Sequence, residues 1–171
     1  GFSAFKFNQS ASIDVKKGQH IILLGNNLGS RMMNYDNFET EMQVRYPEDM
    51  LYIRNMCDGG DTPGFRPHAS RNTPWAFPGA EKFQTELASP SQSEGHFDYP
   101  DEWLTRHKAD VIIAFFGYNE SFEGKAGLEN YKAELDAFIK YTLSQKYNGT
   151  TAPKLAIVSP IAFEDLSAKF D

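Results

Sequence analysis

Apolar and polar positions fall into two alternating kinds of run along this chain. Ile21-Ile22-Leu23-Leu24 is an unbroken apolar run that stops at Gly25-Asn26-Asn27, which predicts a buried strand ending in a sharp turn into a helix. Beyond the turn, Met32, Tyr35, Phe38, Met42 and Tyr46 recur at steps of three and four, the mark of one helix face over 31–46, until Pro47 stops it. Leu51-Tyr52-Ile53-Arg54-Asn55 reads as a second strand, breaking at Asp58-Gly59-Gly60-Asp61. Two strands joined by a helix of this length predict a parallel βαβ unit.

The same pattern returns later in the chain. Asp110-Val111-Ile112-Ile113-Ala114-Phe115-Phe116 is almost wholly apolar, as expected of a strand covered on both faces. A helix over 128–147 follows, with Leu128, Tyr131, Leu135, Phe138, Ile139 and Leu143 on one face and Asn148-Gly149 closing it. Lys154-Leu155-Ala156-Ile157-Val158 is the fourth strand. The remaining stretches are less regular. Residues 1–19 form a lead-in with a turn at Lys16-Lys17-Gly18. Residues 61–100 hold most of the prolines together with Phe65, Trp75, Phe77, Phe83, Phe97 and Tyr99, and read as a partly helical excursion over the top of the sheet. A short helix follows Pro100, with Asp101 as its cap and Trp103 and Leu104 facing inward. The sum is one domain over 1–171, an α/β, three-layer, doubly wound parallel sheet of flavodoxin-like kind with spatial order 2-1-3-4.

Composition narrows the function. The 171 residues, with 40% hydrophobic and 23% charged side chains, suffice for one ordinary core. A net charge of −6 without a basic run argues against a nucleic-acid partner, and no apolar run reaches the length of a membrane span. The single cysteine, Cys57, excludes an internal disulfide. The start at Gly1 fits a chain from which a signal peptide has been removed. Asn-x-Ser/Thr triplets at Asn8, Asn119 and Asn148 are too short to carry weight.

Three strand exits carry glycine with Asn or Asp: Gly25-Asn26-Asn27, Gly59-Gly60-Asp61 and Gly117-Tyr118-Asn119. Each taken alone has a bland explanation, since tight turns favour glycine. Together they offer a backbone N–H on an exposed turn at Gly60 and a side-chain amide at Asn119, the two donors an oxyanion hole needs. In an open parallel sheet such exits gather at the carboxyl edge, where ligands bind.

These blocks resemble those of the SGNH (GDSL) hydrolases, esterases and acetylhydrolases built on a flavodoxin-like sheet. Leu24-Gly25-Asn26-Asn27-Leu28 stands where that family has Gly-Asp-Ser-Leu. Asn55-Met56-Cys57-Asp58-Gly59-Gly60-Asp61-Thr62 is similar to the second block, and Gly117-Tyr118-Asn119-Glu120 to the Gly-x-Asn-Asp block. The resemblance spans about residues 20 to 165 and implies that Gly60 and Asn119 line the oxyanion hole. It also implies ester hydrolysis, with O-acyl (acetyl) esters of carbohydrate as substrate, no cofactor and no metal. The run is similar as well to a subgroup found in large exported bacterial proteins, some with a c-type haem domain elsewhere; this chain has no Cys-x-x-Cys-His segment.

Two departures qualify that expectation. The family's nucleophilic serine falls on Asn27, whose amide does not attack an ester as a hydroxyl does. The Asp-x-x-His block expected after the fourth strand is missing, so the resemblance implies that the C-terminal part lies in a further segment, a further domain or another chain. His20, His68, His96 and His107 have no placed partner and read as surface or structural residues; Ser30 is one helical turn from Asn27. Carboxylates at Asp58, Asp61, Glu120 and Glu123 lack metal-ligand spacing, and the first turn lacks a phosphate cradle. The alternative function is a non-catalytic ligand-binding or structural module that keeps the pocket.

Overall fold

The computed structural model describes residues 16–26, 50–57, 62–66, 73–83, 100–116 and 124–158. Four strands, β1 (His20–Gly25), β2 (Tyr52–Asn55), β3 (Val111–Phe115) and β4 (Lys154–Val158), form one sheet in the order β2-β1-β3-β4. Every pairing is parallel, as the strand and helix spacing predicts. The apolar runs of β1 and β3 become inner strands because each is short and covered on both faces, while β2 and β4 at the two edges are less buried. Ile22, Leu24, Ile112, Ala114 and Phe116 point to one face, while Ile21, Leu23, Ile53, Val111 and Phe115 point to the other, and both sets are buried. The predicted helix over 31–46 lies outside the described residues.

Two helices pack on the first face: α1 (Pro100–Arg106) and α2 (Gly124–Leu143). Trp103 and Leu104 turn inward as expected. Asp101 does not cap the short helix from outside, because the helix begins at Pro100 and puts Asp101 in its first turn. Proline suits that first position, since its missing N–H would have no intrahelical partner there. The longer helix starts four residues before the predicted 128 and ends four before 147. Its buried stripe is Tyr131, Glu134, Phe138 and Thr142, two of them polar, while Leu143 is 44% exposed. The chain leaves the helix after Leu143 and brings Tyr147 back into the core, so Asn148-Gly149 belongs to a separate turn. There the Asn148 side-chain oxygen accepts the N–H groups of Thr150 and Thr151, both at 2.9 Å.

The segment after β2 also differs from expectation. Its described parts do not lie over the top of the sheet; Ala76, Phe77 and Ala80 pack into the same face as α1 and α2. An isolated antiparallel bridge joins Phe65 to Trp75, and a single 3-10 turn runs over Ala80–Lys82. Among the described residues no helix is long and apolar enough to cross a membrane.

Gly25 is demanded by the backbone. Its φ of +123° is a conformation that side chains avoid, and a Cβ there would lie 2.1 Å from the Phe115 carbonyl oxygen. Gly149 also has positive φ, +87°, but open space around it. Gly25→Ala is therefore expected to cost about 3 kcal/mol or more, and Gly149→Ala about 1 kcal/mol. Urea unfolding of both variants checks this; equal losses would show that the β1–β3 approach is not the constraint.

Candidate functional site

The site is best built from the carboxyl edge of the sheet. At that edge β1 and β2 end side by side, with Leu23 in register with Asn55, and β1, β3 and β4 end together through Gly25, Phe115 and Val158. The pairing continues one step past each strand. Asn26 N–H donates to the Phe115 carbonyl at 3.0 Å, Met56 N–H to Leu23 at 2.7 Å and Phe116 N–H to Val158 at 3.3 Å. Asn55 begins the turn out of β2, since its side-chain oxygen accepts the Cys57 N–H at 2.9 Å. Asn26 is buried immediately after Gly25.

Asn27, Gly60 and Asn119 lie outside the described residues, as do Ser30, His68 and His96 and the carboxylates Asp58, Asp61, Glu120 and Glu123. In the chain Asn27 follows Gly25 by two residues, Gly60 follows Asn55 by five and Asn119 follows Phe115 by four. The strands that precede them are neighbours.

Two histidines are described, and both belong to the opposite edge. His20 opens β1, five residues before Gly25, about 17 Å away along a strand. Its Nδ1 pairs with the His107 carbonyl at 2.5 Å, and the His107 Nδ1 pairs with the Tyr52 hydroxyl at 3.1 Å. His107 itself sits in the turn after α1 rather than within it. Neither ring reaches the carboxyl edge, in keeping with a structural role.

Behind the carboxyl edge lies a buried polar cluster that the apolar pattern does not announce. Glu134, 1% exposed, accepts the Thr62 hydroxyl at 2.7 Å and the Gly64 N–H at 2.6 Å on the same Oε1. Arg66, 2% exposed, lays its guanidinium over Phe116 at 4.9 Å and over Phe138 at 5.8 Å. Its backbone N–H donates to Pro74 at 2.6 Å, and Ala76 N–H to Gly64 at 2.8 Å. One patch of α2 thus ties down residues 62–66, which follow Gly60 in the chain, and touches Phe116, the residue before Gly117. The one clue in the sequence is a glutamate placed between Tyr131 and Phe138 on an apolar face.

A second cluster surrounds Asp101. Its carboxylate accepts the Tyr147 hydroxyl at 2.6 Å and, on its other oxygen, the Tyr141 hydroxyl. An internal void of about 10 Å³, bordered by Arg66, Asp101, Thr142 and Tyr147 among others, lies beside it. Burial first, and then the neighbouring carboxylate, push both tyrosine hydroxyls well above their ordinary 10.0; Arg66 pulls Tyr147 part of the way back. Among the described residues no group of three or more His, Cys, Asp or Glu is arranged to hold a metal ion.

The raised tyrosines fix the sign of an alkaline effect. Above pH 10.0 the unfolded chain releases these protons while the folded chain keeps them, so stability is complete below that pH and falls as pH rises. The melting temperature is expected to drop from roughly pH 9 to 11, with a shallower slope in Tyr147→Phe and shallower still with Tyr141→Phe added. An unchanged slope in the double variant would remove the tyrosines as the cause.

No family model and no curated protein matches the chain.

Proposed function

We propose that the chain is an SGNH-hydrolase-like domain of flavodoxin-like, doubly wound form, belonging to an exported bacterial protein. The ancestral chemistry of its carboxyl-edge pocket is ester hydrolysis of O-acyl groups, acetyl above all, on carbohydrate, with Asn27 at the degenerate nucleophile position. The observation that carries this reading is the all-parallel sheet in the order β2-β1-β3-β4. That order makes β1, β2 and β3 neighbours, and the three blocks with family resemblance follow those strands in the chain. The obligatory glycine at the end of β1 adds support, because a tight exit there is what presents the next residues at the sheet edge.

In this reading Gly60 N–H and the Asn119 amide bind the oxygen that becomes negative as the ester carbonyl turns tetrahedral. Those donors work only when held still. The Glu134 contacts to Thr62 and Gly64 restrain residues 62–66, which follow Gly60 in the chain. A serine-type nucleophile requires a hydroxyl and a base to take its proton, and Asn27 supplies neither function. Asn27 therefore favours a second reading, a non-catalytic module that uses the same donors to hold an acylated sugar.

The test measures both turnover and binding. Loss of the nucleophile costs a serine hydrolase about 10⁶-fold in kcat, and the remaining donors leave about 10³- to 10⁴-fold over water. The protein is expected to hydrolyse acetyl esters no faster than that residual rate, to bind an O-acetylated oligosaccharide, and to lose about tenfold in affinity in Asn119→Ala. Fast hydrolysis that survives Asn27→Ala would put the nucleophile elsewhere, with Ser30→Ala the next variant. If neither the natural protein nor Asn27→Ser binds or turns over any acylated sugar, the reading is wrong.

A further inference from the structure

None of the described carboxyl-edge residues lines an open cleft of about 400 Å³, which is bordered by Thr73, Trp75, Phe77, Glu81, Asp101 and Glu102 together with flanking Ala76, Pro78 and Pro100. Its size is that of a small-molecule site. One wall is the segment 73–81, the other the first turn of α1. The wall is built rather than draped. Trp75 sits edge-on to Phe65 with centroids 5.5 Å apart, and Phe77 stacks on Tyr141 at 5.7 Å. Trp75 N–H donates to the Thr73 hydroxyl at 3.3 Å, and Asn130 reaches the Phe83 carbonyl at 2.8 Å. With the Pro74 and Ala76 backbone bonds already described, the aromatic surfaces are fixed before any ligand arrives.

The cleft's chemistry is one-sided. Its described lining offers two exposed carboxylates, Glu81 and Glu102, beside Asp101, whose oxygens are held by Tyr141 and Tyr147, and no basic side chain; the nearby Lys82 ammonium lies over the Phe83 ring instead, 4.9 Å from its centroid. A set of acceptors beside an indole selects a donor with positive charge, since carboxylates attract it and the aromatic face adds cation–π attraction. The described lining repels an anion for the same reason. We propose that this cleft binds a small organic ammonium ion whose carbon body packs on Trp75 and Phe77 while its nitrogen is drawn to Glu81 and Glu102. The proposal does not depend on the carboxyl-edge chemistry.

The protein has two tryptophans, of which Trp103 is buried in the core and Trp75 is half-buried beside the cleft. Trp75 emission therefore reports occupancy. Two matched pairs of probes separate charge from shape: benzylamine against benzyl alcohol, and glucosamine against glucose. At least one amine is expected to change the emission saturably in the millimolar range, with its neutral twin at least tenfold weaker. Trp75→Phe should abolish the signal while Trp103 emission persists. Glu81→Gln with Glu102→Gln, both at exposed positions, should weaken the amine about fivefold or more, and added salt should weaken it further. Calorimetry on Trp75→Phe keeps binding measurable without the fluorophore. Equal binding of an amine and its neutral twin overturns the proposal. So does no saturable binding of either amine at tens of millimolar, or affinity unchanged by the double Gln variant.

Discussion

The packing of β1 between β2 and β3 is the constraint from which the rest of the structure follows. An inner strand of a parallel sheet uses its backbone groups on both sides and presents side chains to two covered faces. Ile21 and Ile22 are accordingly 0% exposed, although they point in opposite directions. Such a strand leaves no room for error at its end. The chain turns away at Gly25 with the Phe115 carbonyl so near that no side chain fits, and Asn26 is buried at once. Everything at the carboxyl edge inherits its position from that approach.

Helix α2 carries a second constraint, a polar one. Glu134 and Thr142 occupy positions where the helical period calls for apolar residues, and Arg66 lies against the same helix. Buried charge of this kind adds little net stability compared with a well-packed apolar core, yet removing one partner is costly, so it acts to specify an arrangement. The arrangement specified here is the seat of the segment 62–66 on the helix. Within that segment Thr62 and Phe65 exchange backbone bonds, and Arg66 and Gly64 bond to Pro74 and Ala76. The carboxylate takes up the Gly64 N–H, which those bonds leave over.

How far the sequence discloses this architecture depends on the range of the interaction. The strands were legible because their signal is local: Ile21 to Leu24 and Val111 to Phe115 each declare burial within a few residues, Lys154 to Val158 is a short apolar run that becomes a half-buried edge strand, and the spacing between them favours parallel pairing. The end of α2 was not. Leu143 continues the apolar period but is exposed, because the chain is captured a turn later by Tyr147, whose hydroxyl is held by Asp101, 46 residues away. Likewise Asp101 in the first turn of a helix has the signature of a cap, and only the fold reveals two tyrosines converging on it. For the candidate site, Gly25 was readable from its place after an apolar run. The glutamate and arginine that brace the neighbouring segment were not, since their partners come from Thr62, Gly64, Phe116 and Phe138. Asn27, Gly60 and Asn119 remain readings of the sequence.

At the other edge of the sheet a single residue, Asp110, gathers three elements. Its carboxylate accepts the His20 N–H at 2.7 Å and the Asn148 amide at 2.9 Å. Its backbone N–H donates to the His20 carbonyl at 2.9 Å, and its carbonyl accepts from Lys154 N–H at 2.9 Å. The first residues of β1 and β4 are thereby fastened to the entry of β3. Separating any one of them means releasing several bonds together, which ties the local opening of this edge to the loss of the whole sheet. In hydrogen exchange the amides of His20, Asp110 and Lys154 would then share one slow, global rate, although each stands at the frayed position of its own strand.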